Sequence, residues 1–369
     1  MRKLGIGVIG CGGAAQVGHL PWYARNPHVR LVAVADVDEK KARYIAEKYH
    51  VKDYYADYEK LLQRDDVDAV SICTPVAYHC EQAVRAFEYG KHVLLEKPMA
   101  RDIYECDLII RASEKASRIL MVGFMKRFNP AFEFIKSVLD RGAIGKPHYM
   151  DVHWSLHDLK GCKHFRYKAI TGGGVFQDHG SHYIDLFRWW FNDEVLEVSA
   201  EFNIMVEGRE VEDHGVVLLR FKKGGIATIE ATRIGLLEPT YTYWERGQIY
   251  TTLGGITFRS PDWTSYELPE VRVFDGKKWT CHLFHKRGID PPEHYMFKRE
   301  IDHFVDCVIN DKQSIVTGVD GRAAIEVINA AYLSQIKGTK IKLPLEDYKL
   351  DIKVFQRFPR FEMRSSTTS

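Results

Sequence analysis

Gly10-Cys11-Gly12-Gly13-Ala14-Ala15 is the first run in this chain whose residue types and spacing can do chemistry. It reads G-x-G-x-x-A. Gly10 allows a tight turn, Gly12 lets backbone approach a pyrophosphate, and the small Ala15 lets a helix pack on the preceding strand. Gly13 and Ala14 complete a loop whose free N–H groups and helix-dipole end attract phosphate. Asp36 stands about 20 residues further on, where an acid hydrogen-bonds the 2′-hydroxyl of a ribose. Asp38 is a second acid, and no arginine stands beside Asp36. Two carboxylates repel a 2′-phosphate. The pattern predicts an NAD site in preference to NADP. Asp36 acting only as the cap of the next helix is the alternative.

The surrounding elements must position that loop. The run at residues 4–9 is of buried-strand type, followed by glycines and a helix to residue 25. Strands are expected over 30–35, 68–73, 92–95 and 118–122. Helices are expected over 38–50, 76–89 (stopped by Gly90) and 102–117. Strict alternation of strand and helix means a parallel sheet with right-handed crossovers. After Gly123 a helix over 130–140 gives way to successive strands over 148–155, 195–206, 211–221 and 225–234, with Lys223-Gly224-Gly225 as a hairpin turn. Helices over 296–310 and 319–337 follow. The aromatic, glycine-rich stretch 241–279 either extends the sheet or packs across a subunit. The predicted fold class is α/β. Residues 1–123 form a Rossmann domain with a doubly wound parallel sheet. Residues 124–345 form an α+β domain with a large, mostly antiparallel open sheet for substrate binding and oligomerisation. A tail, 346–369, ends the chain.

Composition narrows the function classes. The chain has 369 residues, more than one typical core holds. Its net charge of +2 gives no reason to expect nucleic acid or a membrane as partner. The 7 cysteines are odd in number and lack C-x-x-C spacing, which argues against a disulfide framework and a tetrahedral zinc site. No metal is expected, and a reducing, cytoplasmic home is. No apolar run reaches the roughly 18 residues of a membrane span, and Met1-Arg2-Lys3 is not followed by a signal-type apolar stretch.

Three further stretches carry a resemblance. The first runs from Thr74-Pro75 through His79 and Gly90-Lys91-His92-Val93 to Glu96-Lys97-Pro98. The second is Gly172-Gly173-Gly174-Val175-Phe176-Gln177-Asp178-His179-Gly180-Ser181-His182-Tyr183-Ile184-Asp185, of the form D-x-G-x-H-x-x-D. The third is Arg127-Phe128-Asn129-Pro130 with Gly142-Ala143-Ile144-Gly145-Lys146-Pro147. Together they resemble the glucose–fructose oxidoreductase and inositol dehydrogenase family, Gfo/Idh/MocA, over residues 4 to about 345. The resemblance implies an NAD(P)-dependent oxidoreductase of two domains with its site in the cleft between them, assembled as a homodimer or homotetramer through the open sheet face. It places Lys97 at the family's catalytic lysine, Pro98 at a proline reached through a cis bond, and Asp178 and His182 at the acid and histidine facing the substrate. Thr74, Pro75, His79, Glu96 and Lys97 join the cofactor-binding set, and Arg127 falls in a loop of the cleft. His179 departs from the family, where an apolar residue is common. It is either an extra substrate contact or a helix-face residue.

These groups suit alcohol oxidation, which takes a hydride from carbon and a proton from oxygen. Histidine titrates near pH ~6.5, so His182 can act as base at neutral pH. Asp178 lies four residues earlier, one helical turn away, and can orient the imidazole or bind a neighbouring hydroxyl. Lys97, at the end of a parallel strand, supplies positive charge where alkoxide character develops. The stretch 154–171 mixes polar and aromatic side chains, as polyhydroxylated ligands require. From it His157, Arg166 and Tyr167 are chosen as substrate contacts, together with Arg127. The expected function is oxidation of a secondary hydroxyl of a sugar, glycoside or inositol-like polyol by NAD. One alternative is a lyase or glycosidase acting through transient sugar oxidation. Another is a non-catalytic NAD-binding regulator, against which the presence of both Lys97 and His182 counts.

Overall fold

The computed structural model describes residues 2–158, 164–235, 243–261, 269–284, 295–346 and 348–360. The chain falls into two compact units. One comprises residues 1–129 and 287–323, the other 130–286 and 324–369.

The first unit is built on six parallel strands: β1 (Leu4–Ile9), β2 (Val29–Ala35), β3 (Asp53–Tyr55), β4 (Ala69–Ile72), β5 (His92–Glu96) and β6 (Leu120–Gly123). Their order is β3-β2-β1-β4-β5-β6. β1 and β4 are buried almost throughout, which is why they read as apolar runs, broken in β4 only by Ser71. The connecting helices are α1 (Leu20–Arg25), α2 (Glu39–Tyr49), α3 (Tyr58–Leu62), α4 (His79–Glu88) and α5 (Ile103–Ala116). A π-wound turn, Ala15–His19, precedes α1. Strand order reverses between β1 and β4, and ligands of doubly wound sheets bind beyond the carboxyl ends at that point. Gly90 follows α4 at φ +71, as its predicted stopping role requires. β3 and α3 were not expected. At three and five residues they are too short to show a period.

The second unit starts with α6 (Pro130–Asp140), β7 (Pro147–Leu156) and α7 (Ser181–Phe191). Then come β8 (Val195–Asn203), β9 (His214–Phe221), β10 (Ile226–Thr232), β11 (Tyr243–Thr251), β12 (Gly255–Pro261), β13 (Glu270–Phe274) and β14 (Trp279–Leu283). Later in the chain come α8 (Tyr295–Asn310), which lies in the first unit, α9 (Gly318–Lys337), which begins in the first unit and continues into the second, and the short β15 (Ile341–Lys342) of the second. Nine strands among the described residues form one sheet, β14-β13-β12-β11-β7-β10-β9-β8-β15. Every pairing is antiparallel except β7 with β10. Stretch 241–279 therefore extends the sheet through its described residues, with 241–242 and 262–268 outside them. β9 alternates, burying Val217, Leu219 and Phe221 and exposing Val216 and Leu218. One sheet face is thus core and the other open.

The boundaries differ from those expected in three ways. Helix α8 and residues up to 323 belong with the first unit. Phe297 packs where a Cβ on Gly18 would stand, and Asp302 accepts from Asn26 at 2.9 Å. Residues 350–358 are no free tail: Phe355 and Phe358 pack on Tyr332, 5.2 and 5.8 Å between centroids. Residues 361–369 lie outside the described residues. The strand predicted over 211–221 begins only at His214, because Val211-Glu212-Asp213 is a loop whose carboxyl groups bind backbone N–H groups.

Candidate active site

In the first unit β1 runs into Gly10 at φ +90, where a Cβ would lie 2.8 Å from the Cys73 carbonyl carbon. Only glycine fits that turn. Among the described residues, a Cβ on Gly12 or Gly13 would meet no atom within 4 Å. The space in front of the loop is open, as a cradle for a dinucleotide pyrophosphate must be. Ala15 is fully buried, in keeping with its packing role, and Ala14 stands at the helix N-cap. Asp36 ties the end of β2 to the loop: Oδ2 accepts from the Cys11 N–H at 2.8 Å, and Oδ1 from the Asp38 N–H at 3.0 Å. The cap of α2 is Asp38, which accepts from Lys40 and Lys41. Asp36 is therefore more than a helix cap. The Lys41 ammonium stands 3.5 Å from Asp36, a neighbour that the sequence pattern did not single out. Burial first, and Asp36 second, push the Cys11 thiol up to about 12, so it is inert at neutral pH.

Behind the loop lies a buried polar chain. His19 bridges Ser71 (3.1 Å) and Glu96 (2.8 Å), and Tyr23 joins Ser71 at 2.7 Å. The other Glu96 oxygen accepts from the Lys97 N–H at 3.1 Å. Glu96 supports the backbone at Lys97 and spends its carboxylate on His19. Glu300 of α8 has no hydrogen-bond partner on either oxygen among the described residues. Burial, then Glu96, hold its carboxyl well above the usual range. His79 is buried, its ring between the carbonyls of Thr74 (2.8 Å) and Pro98 (2.9 Å), and burial lowers its pKa. It joins the loops after β4 and β5. Thr74 donates to Gln82 at 2.6 Å and, with Pro75, is partly exposed. Lys97 is partly exposed at the end of β5, with a cis bond to Pro98. Arg127 is buried, bonded to the Ile315 carbonyl (2.8 Å) and paired with Asp320 (2.9 Å). These bonds brace the turn between α8 and α9 and commit a guanidinium that was expected to meet substrate.

In the second unit a glycine run leads into a π-wound turn, Phe176–Gly180, that continues as α7. Such turns recur at functional sites. Asp178 lies in the π turn with a quarter of its side chain exposed. The Arg233 guanidinium bonds its carboxylate, and His179 and Arg166 stand 3.5 and 3.6 Å from it. His182 is 2% exposed in the first turn of α7. His179 stacks on Trp154, ring centroids 3.5 Å apart, which makes it a packing residue beside Asp178. Tyr167 is 1% exposed. Its hydroxyl bonds Asp158 and its ring lies 4.1 Å from Arg209. These contacts give Tyr167 a scaffold role in place of the expected substrate contact. His157 is half-buried and bridges to Ile234. Of the three chosen loop residues, Tyr167 is buried, while His157 and Arg166 are partly exposed, the Arg166 side chain to 41%. Sequence reasoning missed Arg233 and Glu212, because each reaches its partner from more than thirty residues away. No local spacing could reveal them.

The first unit thus has the glycine loop and strand order of a dinucleotide-binding oxidoreductase. A family model described as "Oxidoreductase family, NAD-binding Rossmann fold" matches residues 4–124, and one described as "GFO/IDH/MocA C-terminal domain" matches 132–257. The chain belongs to the Gfo/Idh/MocA family and is an NAD-dependent oxidoreductase. The myo-inositol 2-dehydrogenase of Thermotoga maritima is 29% identical, over 92% of this chain and 98% of that one. The scyllo-inositol 2-dehydrogenase (NAD(+)) of Bacillus subtilis is 26% identical, over 89% and 95%. The crystal structure of aldose-aldose oxidoreductase from Caulobacter crescentus, complexed with glycerol, aligns with a TM-score of 0.82 at 26% identity, over 93% of this chain and 100% of that one. Among the described residues no helix is long and apolar enough to cross a membrane.

Proposed function

We propose that this enzyme oxidises a secondary hydroxyl of a sugar, glycoside or inositol-like polyol, and that Lys97, Asp178 and His182 carry the reaction. One observation carries the reading. Similarity along nearly the whole length to two inositol dehydrogenases coincides with a lysine at the end of β5 and an acid and a histidine one turn apart. When bound, NAD would supply the acceptor for the hydride that leaves carbon. Gly10, Gly12 and Gly13 with the helix end beyond them would hold its pyrophosphate, and Asp36 its ribose. His182 removes the hydroxyl proton onto a ring nitrogen. Lys97 stabilises the oxygen as negative charge develops. Asp178, fixed by Arg233, accepts a hydrogen bond from a neighbouring hydroxyl. Arg166, partly exposed beside Asp178, reaches a ligand oxygen.

The exposed Val216, Leu218, Ile226 and Tyr250 on the open sheet face support assembly of identical chains through it. The cysteine pattern supports the cytoplasm as location. The test is a panel of polyols, monosaccharides and glycosides incubated with NAD and followed by NADH absorbance. Net NADH with a polyol or sugar is expected. Glycoside cleavage without net NADH would instead establish the lyase, and no turnover of any polyol would overturn the reading.

A further inference from the structure

The glycine run before Asp178 is held by a residue that no motif marks. Glu212 is completely buried. Its Oε1 accepts from the N–H groups of Gly174 (2.9 Å) and Phe176 (3.2 Å) and from the Tyr332 hydroxyl (2.8 Å). Its backbone carbonyl accepts from the Val175 N–H at 3.0 Å. Three successive amides at the start of a helix, donors with no partner inside the helix, are thus satisfied by one residue. A carboxylate there also meets the positive end of the helix dipole.

Space tells the same story. A Cβ on Gly174 would lie 1.9 Å from the Glu212 carbonyl oxygen, and one on Gly173 would lie 2.1 Å from the Tyr332 hydroxyl. The run is glycine because Glu212 and Tyr332 press against it. Glu212 is itself anchored by its neighbours. Asp213 accepts from the N–H groups of Met205 (2.8 Å) and Val206 (2.9 Å) and pairs with the buried Arg209. The Glu210 N–H binds the Tyr167 carbonyl at 2.9 Å. Tyr332 is fixed on α9 among Phe202, Phe355 and Phe358.

We propose that Glu212, with Tyr332, is a positioning residue: it fixes the Gly173–Phe176 turn and so sets where Asp178 and His182 stand. The inference rests on the reading of those two side chains as the reacting ones. Asp178 follows Phe176 by two residues, and its N–H bonds the Gly174 carbonyl at 3.0 Å. A shift of the turn therefore moves the π turn and the first turn of α7 together. Displacement of a reacting group by about 1 Å costs on the order of 10²-fold in rate.

Burial pushes the Glu212 carboxyl up to about 7, against the pull of its three hydrogen bonds. The titratable group touching it is the Tyr332 hydroxyl, itself pushed up by burial and by Glu212. Oε2 has no hydrogen-bond partner among the described residues, so it is the oxygen that takes a proton. Oε1 keeps all three donors in either state. The clamp therefore depends on the oxygen and its reach, and hardly on the charge.

The experiment compares Glu212→Ala, Glu212→Gln and Glu212→Asp in the full-length enzyme. It reads kcat per folded molecule, KM, the NAD dissociation constant and the His182 ring resonances in ¹⁵N-histidine-labelled protein. Those resonances are identified by their loss in His182→Asn. The expected result is a kcat lowered by roughly 30-fold or more in Ala, with NAD affinity unchanged and the His182 resonances moved. Gln, which keeps Oε1, should restore kcat to within about five-fold with the wild-type pH profile. A residue with only a structural role would lower stability but leave kcat per folded molecule and His182 as they are. If Ala does not fold, Asp decides, since it keeps the charge but falls one methylene short. Wild-type kcat and an unmoved His182 in folded Ala or Asp would overturn the proposal. If no polyol is turned over by the wild type, the functional reading fails separately, and the His182 resonances still decide the role of Glu212.

Discussion

Gly12 and Gly174 both belong to loops that open a helix, yet they are glycine for opposite reasons. Among the described residues a Cβ at Gly12 meets nothing within 4 Å, whereas one at Gly174 would collide with the Glu212 carbonyl oxygen. The loop of the first unit is shaped by neighbours in sequence and keeps its free side for a ligand. The run of the second unit is pressed into place by side chains from far along the chain. The first is a backbone site that waits for its partner; the second has its partner built in.

That contrast can be broken in several ways. A large effect is expected from Lys97→Ala, which removes the charge proposed to matter most as the alkoxide forms. Turnover should fall by about 10² to 10³ while NAD binding, measured by fluorescence titration, stays near wild type. Unchanged turnover would end the assignment of Lys97.

The two glycines should then separate cleanly. Gly174→Ala should cost about 3 kcal/mol or more of stability in urea unfolding, because the clash is with backbone. Gly12→Ala should cost under about 0.5 kcal/mol yet weaken NAD at least about ten-fold, since the methyl enters the pyrophosphate's space. Equal stability losses in both would erase the distinction.

Asp36→Ala should weaken NAD and relax its preference over NADP. The ribose loses its acceptor, the 2′-phosphate loses a repelling charge, and Lys41 is freed to meet that phosphate. A preserved preference in the ratio of kcat/KM values would show that Asp36 only shapes the loop.

How much was legible follows from the same contrast. The parallel sheet, Gly10-x-Gly12 and Asp36 could be read because period, turn and spacing are local properties. Lys97, Asp178 and His182 became visible only through a family resemblance. Their supports stayed hidden. Arg233 on Asp178 and Glu212 on Gly174 are contacts of the folded chain, and Val211-Glu212-Asp213 looked like the start of a strand. Tyr167 and Arg127 misled because a polar or aromatic loop residue looks the same whether it faces ligand or scaffold. Burial separates the two cases, and the sequence does not state it.

A further effect is in stability against pH. The Glu212 carboxyl is raised in the folded state from about 4.5 to about 7, so the folded protein holds its proton longer than the unfolded chain does. Its contribution is fully present below about pH 4.5 and is lost as pH rises through about 7, a change of roughly 3 kcal/mol. Urea unfolding at pH 5 and pH 8 should show this loss in the wild type relative to Glu212→Gln. A difference between the two proteins that does not change with pH would contradict it.

The central claim is that His182 takes the proton, and the pH dependence of kcat/KM in His182→Asn tests it most directly. The wild-type value should rise with pH and level off as the base loses its proton. In the variant the rate should drop by on the order of 10² to 10⁴ and that rise should vanish, because asparagine does not titrate. A variant that keeps the same pH profile at a lower rate would place the base elsewhere. Lys97 would then be the group to examine, and His182 would be left with positioning the substrate.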